Sequence, residues 1–156
     1  MAIGTSIARC SRWISTRSGL FAIGLGIVPA LSAGSEALQV SNAWIPAADQ
    51  TGIDLPLLMT IKNEADVADA LLRVRCPVAN FSERHTVDRG EGSPAMRAIS
   101  SIPIAASSTT ILKPDAYHVM LLQTRQTLAA GEAFTCSIVF QKAGTIETEV
   151  KVHGLP

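Results

Sequence analysis

The 156-residue sequence has no excess of either charge, and it lacks the residue patterns that most enzymes need. Thirteen Lys and Arg residues balance thirteen Asp and Glu residues, so the formal net charge is +0 at pH 7. Nucleic acids and anionic membranes attract proteins with an excess of basic residues, and this sequence has no such excess. The sequence also contains no nucleophile paired with a base, no carboxylate dyad and no phosphate-binding loop. We therefore expect a protein that is not an enzyme and has no nucleic-acid partner.

The sequence has one extended apolar run, which is too short to span a bilayer comfortably as a mature helix. It extends from Gly19 to Leu31, behind three arginines and ahead of a segment rich in small residues. This three-part layout is typical of a secretory signal peptide. We expect cleavage near Ala33 or Ala37 and export of the remaining chain.

The predicted domains are therefore 1–37, a signal peptide with a short linker, and 38–156, one domain of ordinary size. Without its first 37 residues the chain keeps ten basic against twelve acidic residues, which again argues against nucleic acid. Cys10 lies before the apolar run and not at its end, so we expect no lipid anchor and no stable membrane insertion after cleavage. An uncleaved membrane anchor is the alternative.

The mature part shows no convincing helical period and consists of short alternating segments separated by turn residues. The predicted strands are 38–45, 57–62, 70–76, 81–86, 95–99, 109–112, 117–122, 133–141 and 145–152. The last two form the clearest hairpin, because residues 142–144 provide a glycine-containing turn between two alternating runs. Many short strands at this spacing predict an all-β fold, a Greek-key sandwich or barrel.

The mature part keeps two cysteines, Cys76 and Cys136, each in an alternating segment whose apolar members would face the core. In the oxidising environment of an exported protein, two inward cysteines on strands that meet could form one internal disulfide. A pair of buried, unreactive thiols is an equally open alternative, because the sequence does not establish the Cα separation that a bridge requires.

Four residues with soft or borderline donor atoms form the most informative pattern: His85, Met96, His118 and Met120. Imidazole and thioether ligands together select Cu(I) over hard cations. His118 and Met120 are two residues apart on one predicted strand, so their side chains project to the same face. The polar loop 87–94 would return Met96 towards His85, as in a hairpin. The sequence therefore predicts a four-ligand Cu(I) site near the surface.

Each residue taken singly has a structural interpretation, and only the combination favours a metal site. Two of the three His and two of the four Met belong to the pattern. Met59 is flanked by apolar residues and is assigned to the core, whereas His153 alternates with charged residues and is assigned to solvent. A blue-copper electron carrier needs a His and a Met shortly after a Cys ligand, and Cys136 has no such loop.

At these four residues the sequence resembles the PCu(A)C family of periplasmic copper chaperones, whose signature is this His, Met, His-x-Met spacing. The supporting segments are Asn42-Ala43-Trp44, Ile61-Lys62-Asn63, Leu112-Lys113-Pro114 and Tyr117-His118-Val119-Met120-Leu121. The similarity extends from about Val40 to Val152. The sequence departs from the family pattern at Asp115-Ala116, where Gly-Gly is usual, and at Pro94, where relatives often have Met.

The resemblance implies a cupredoxin-like β-sandwich that binds Cu(I) through the two His and two Met side chains. Family members deliver copper in the periplasm towards the copper centres of cytochrome c oxidase, directly or through a Sco-type chaperone. We therefore expect a periplasmic, monomeric metallochaperone that passes copper to a copper-accepting protein by ligand exchange. The competing hypothesis is an exported β-sandwich binding module without metal, in which the same four residues lie on the sandwich without acting as ligands.

Overall fold

The computed structural model describes residues 37–90 and 92–154, and every helix or strand in this part of the chain is a β-strand. The strands are β1 (Leu38–Pro46), β2 (Leu55–Asn63), β3 (Asp69–Arg75), β4 (Ala79–Asp88), β5 (Ala95–Ile99), β6 (Ile102–Ile104), β7 (Ser108–Leu112), β8 (His118–Thr124), β9 (Ala133–Phe140) and β10 (Gly144–His153). Within these described residues, none of the structure forms a helix long and apolar enough to cross a membrane. The predicted signal peptide, up to residue 36, lies outside the described residues.

The strands form one ten-stranded sheet that curves around a single core. Their order is β5-β4-β8-β2-β1-β10-β9-β3-β6, and β7 pairs with β2. Strand β2 pairs with two different strands along its length. Its residues 55–57 pair with β8, whereas its residues 59–63 pair with β7. Strands β3 and β4 lie in contact although they are far apart in this order, so the sheet folds back on itself. The all-β sandwich predicted from the sequence is confirmed.

The core is built from the inward members of the alternating segments. The largest fully buried side chains are Ile45, Leu57, Met59, Ile61, Leu71, Ile102, Ile104, Leu112, Leu121, Leu128, Ile138 and His118. On β10, Thr148, Val150 and Val152 are buried while Glu149 and Lys151 between them are exposed. This alternation places one face against the core and the other in water. The assignment of Met59 to the core is confirmed.

The predicted hairpin at the end of the chain is present. Strands β9 and β10 pair in register from Gly144 opposite Phe140 to Lys151 opposite Ala133. Gly144 has a φ of 78°, in the left-handed region that glycine enters without the steric penalty of a Cβ. Strand β10 also pairs with β1 in parallel orientation, with Trp44 opposite Lys151, so the sheet is mixed.

Cys76 and Cys136 form a disulfide, which decides between the two alternatives that the sequence left open. Their Cα atoms are 4.4 Å apart, within the range that a bridge requires. Cys136 lies on β9 and Cys76 directly follows β3, the neighbouring strand, where Arg75 is opposite Ser137. The bridge therefore joins adjacent strands at a buried position and closes a loop with a sequence separation of 60.

Candidate metal centre

The four predicted ligands lie on one face of the β5-β4-β8 part of the sheet. His85 on β4 is directly opposite His118 on β8. Met96 on β5 is opposite Val87, which lies two residues beyond His85 on β4. Directly opposed residues and residues two apart share a sheet face, and Met120 is two residues after His118. The register of three strands thus gathers residues that are distant in sequence.

The hydrophobic core fixes which way these side chains point. Val119 and Leu121 on β8 are fully buried in the core. Because successive side chains on a strand alternate between faces, His118 and Met120 must project to the opposite face. A register slip of one residue would exchange the two sets, so the burial of Val119 and Leu121 holds the candidate ligands in place.

Two contacts bring three of the candidate ligands together. His118 Nε2 lies 3.3 Å from Met96 Sδ, and the rings of His85 and His118 meet edge to face with centroids 5.6 Å apart. Met120 is placed beside them by register, opposite Glu83 on β4. Exposure across the group is uneven, because His118 is 1% exposed whereas Met96 is 61% exposed.

Each histidine ring has one nitrogen beside an oxygen atom of the protein. His118 Nδ1 lies 3.0 Å from the carbonyl oxygen of Ala116, which can only accept a hydrogen bond. The thioether sulfur of Met96 is a weaker acceptor than this carbonyl, so in the neutral ring Nδ1 donates to Ala116 and the lone pair is on Nε2, the nitrogen beside Met96. His85 Nε2 lies 3.0 Å from Oε2 of Glu83. The other nitrogen of that ring, Nδ1, is buried and has no hydrogen-bond partner among the described residues.

The donor set fits a soft monovalent cation. Neutral imidazole nitrogens and thioether sulfurs are ligands that favour Cu(I). A buried polar atom without a partner costs free energy, and a metal ion would satisfy the buried Nδ1 of His85. The residues present are therefore chemically suited to hold Cu(I), and His85, Met96, His118 and Met120 stay the predicted ligands.

The turn before β8 contains Asp115 and Ala116, where the family pattern usually has Gly-Gly, and both residues make contacts. The Arg89 guanidinium donates to the carbonyl oxygen of Asp115 at 2.7 Å and lies 3.8 Å from its carboxylate. Lys113 Nζ is also 3.8 Å from the Asp115 carboxylate. Ala116 supplies the carbonyl that holds His118. These contacts tie the loop after β4 to the turn before β8, at the end of the two strands where His85 and His118 pair.

The sequence prediction did not include Glu83, whose carboxylate contacts His85. The available signal was its position two residues before His85 on the same predicted strand. His153, assigned to solvent from the sequence, is exposed and stacks on Trp44 with ring centroids 4.9 Å apart. It lies on β10, which is not part of β5-β4-β8, so it does not join the candidate ligands.

Comparisons with known proteins agree with this fold. Residues 38–152 match the family described as putative lipoprotein LpqE-like. No curated protein matches the chain. The copper-bound PCuAC domain from PmoF2 is 21% identical, with a TM-score of 0.66 over 76% of this chain and 94% of that chain. The Cu(I) form of DR1885 from Deinococcus radiodurans is 25% identical, with a TM-score of 0.60 over 80% of this chain and 85% of that chain.

The metal-free form of DR1885 from Deinococcus radiodurans is 22% identical, with a TM-score of 0.58 over 98% of this chain and 97% of that chain. These likenesses confirm the cupredoxin-like fold that the resemblance implied. The family model covers most of the chain, from residue 38 to residue 152. The chain therefore belongs to the LpqE-like family, which is of the PCuAC type.

Proposed function

We propose that this protein is a copper chaperone that holds Cu(I) with His85, Met96, His118 and Met120. The observation that carries the proposal is the 3.3 Å contact of His118 Nε2 with Met96 Sδ, beside a His85 ring whose buried Nδ1 lacks a partner. Thioether sulfur has no proton to lose, and each neutral ring keeps one lone pair, so the set suits a soft cation. Copper in the structures of PmoF2 and DR1885, which share this fold, supports the same ion here.

The proposed ligands suit an exported protein. Thioethers cannot close into a disulfide, unlike a pair of thiolate ligands, so the site keeps its donors in an oxidising compartment. The two mature cysteines are joined to each other and are not needed as ligands. We propose residues 1–37 as signal peptide and linker and residues 38–156 as a copper-binding domain that acts as a monomer in the periplasm. The matching family is described as a putative lipoprotein, and lipoproteins are exported, so this description supports export of the chain.

Uneven exposure of the ligands supports release by ligand exchange. Met96 is largely in solvent, whereas the side chain of His85 is 14% exposed and His118 is buried. An incoming thiolate or imidazole therefore meets Met96 first and displaces its sulfur while the two histidines still hold the ion. Copper then passes to the acceptor without being free in solution. The proposed acceptor is the copper-bearing subunit of cytochrome c oxidase or a Sco-type chaperone.

Anaerobic titration of the purified protein with Cu(I) against a competing chelator tests the proposed site. We expect one tightly bound equivalent, and X-ray absorption of the loaded protein should detect both nitrogen and sulfur neighbours. A protein that fails to compete with the chelator would instead be an exported β-sandwich module without metal, and the proposed function would be wrong.

Transfer is tested by mixing the Cu(I)-loaded protein with a metal-free acceptor domain in the presence of a chelator that captures free copper. We expect the acceptor to fill at a rate that rises with its own concentration, because the acceptor must displace a ligand. The copper content of the two separated proteins gives the measurement. Capture of the copper by the chelator at a rate independent of the acceptor would contradict ligand exchange.

Replacing Met96 with leucine removes the sulfur and keeps an apolar side chain of similar volume. We expect Cu(I) affinity to fall at least about 10-fold, the lower end of what loss of an outer contact to a metal ligand costs. The free energy of unfolding should change by less than about 0.5 kcal/mol, because the side chain is exposed. Both quantities are measurable by chelator competition and urea unfolding.

Met59→Leu is the matched control, because Met59 is buried in the core, on the sheet face that Leu57 shares with Val119 and that is opposite to the candidate ligands. This change should cost less than about 1.5 kcal/mol of stability and leave Cu(I) affinity unchanged. Equal losses of affinity in both variants would show that the Met96 sulfur has no specific role.

A further inference from the structure

Glu83 lies on the same face of β4 as His85 and contacts that ring. It is opposite Met120 on β8, two register positions from the pair of His85 and His118 and on the same sheet face. Its Oε2 atom is 3.0 Å from Nε2 of His85. The Glu83 side chain is 50% exposed, so the contact joins a partly solvated carboxylate to a ring that is mostly enclosed.

This contact selects one tautomer of the His85 ring. An ionised carboxylate has only acceptor atoms, so Nε2 must carry the hydrogen that fills the 3.0 Å contact. A neutral imidazole carries one N–H, and the lone pair is then on Nδ1. In the other tautomer the Nε2 lone pair would face the carboxylate, and the hydrogen bond to Glu83 would be lost, which is unfavourable. The buried Nδ1 lacks a partner among the described residues in either tautomer, so it does not oppose this choice.

The opposite tautomer is selected at His118. There the carbonyl oxygen of Ala116 accepts from Nδ1 at 3.0 Å, and the lone pair lies on Nε2, 3.3 Å from Met96 Sδ. The two histidines face each other across β4 and β8, yet they offer different ring nitrogens. A backbone carbonyl fixes one ring and an acidic side chain fixes the other, so only the His85 ring can be altered by a side-chain substitution.

The geometry points to Glu83 as a positioning residue that makes Nδ1 the ligand atom of His85, while His118 binds through Nε2. This inference rests on the proposed copper site. A carboxylate on the remote nitrogen of a ligating histidine fixes the orientation of the ring and raises the basicity of the ligand nitrogen. Glu83 therefore strengthens copper binding without touching the ion.

The tautomers are measurable in the metal-free protein, so the first test needs no copper. In ¹⁵N-labelled protein, long-range ¹H–¹⁵N correlations should show His85 protonated at Nε2 and His118 protonated at Nδ1. In Glu83→Ala we expect His85 to become a mixture of both tautomers while His118 keeps its own. A His85 ring protonated at Nδ1 in the wild type, or unchanged by Glu83→Ala, would overturn the inference.

The second test measures Cu(I) affinity by chelator competition. Glu83→Ala should weaken binding about 10- to 100-fold, the usual cost of losing such a partner. Glu83→Gln should restore most of the affinity, because its amide oxygen still accepts the hydrogen bond from Nε2. Glu149→Ala, which removes an exposed strand glutamate on β10, is the matched control and should leave affinity unchanged.

The two tests separate this inference from the proposed function. Wild-type binding of Cu(I) with equal affinity in Glu83→Ala would overturn the role of Glu83 and leave the copper site standing. A wild type that binds no Cu(I) would overturn the proposed function, while the tautomer spectra would still decide whether Glu83 orients His85.

Discussion

Replacing His118 with alanine is expected to lower Cu(I) affinity more than about 100-fold, the upper end of what loss of an outer contact to a metal ligand costs. The change removes the ring nitrogen that lies 3.3 Å from Met96 Sδ, and it removes the ring against which His85 packs. Met96 and His85 would then lack the partner that holds them near each other. Anaerobic titration against a chelator of known affinity measures the loss.

Two further variants separate a lost ligand from a lost fold. His118 is buried, so alanine leaves a cavity that itself destabilises the protein. His118→Gln fills most of that space and should lose Cu(I) affinity to a similar extent while unfolding closer to the wild type. His153→Ala removes an exposed histidine that is not part of the site and should bind Cu(I) normally. Normal binding by His118→Gln would contradict the assignment of His118 as a ligand.

Replacing both Cys76 and Cys136 with alanine is expected to lower the free energy of unfolding by about 4 kcal/mol, as the chain-entropy relation gives for a loop of this length. The bridge has a sequence separation of 60, so it removes many conformations from the unfolded chain. The substitution also removes buried sulfur atoms from the core. Urea unfolding of the oxidised wild type and of the double variant measures the difference.

Reduction of the wild type is the control for lost packing, because it opens the bridge and keeps both side chains. We expect the reduced wild type to lose most of the same stability. Cu(I) affinity of the folded double variant should match that of the wild type, because neither cysteine lies on the β5-β4-β8 strands. A double variant as stable as the oxidised wild type would contradict a stabilising role for the bridge.

Alternation of apolar and polar residues predicted nine strands, and the structure adds one. The additional strand, β6, has Pro103 at its centre, and proline removes a backbone donor from the sheet. The structure accommodates it because β6 is the last strand in the sheet order, where only β3 pairs with it. A three-residue strand with a central proline is too short to be recognised from the alternation of apolar and polar residues.

The candidate site was partly predictable from the alternation of side chains along the strands and from the hairpin connection. A separation of two residues placed His118 and Met120 on one face, and the hairpin of β4 and β5 returned Met96 towards His85. The pairing of His85 with His118 depends on the register of β4 and β8, which sequence spacing does not determine. The spacing of Glu83 and His85 on β4 was visible in the sequence, but their contact depends on the rotamers of both side chains, so it required the structure.

The exposure of Met96 also determines where peroxide would first oxidise this protein. Oxidants convert accessible thioethers to sulfoxides, which are polar and no longer soft donors. Among the methionines in residues 37–90 and 92–154, Met96 is exposed, Met120 is half-buried and Met59 is shielded inside the core. At the proposed copper site, oxidation would therefore remove a sulfur donor before it harmed the fold, and a methionine sulfoxide reductase would restore that donor.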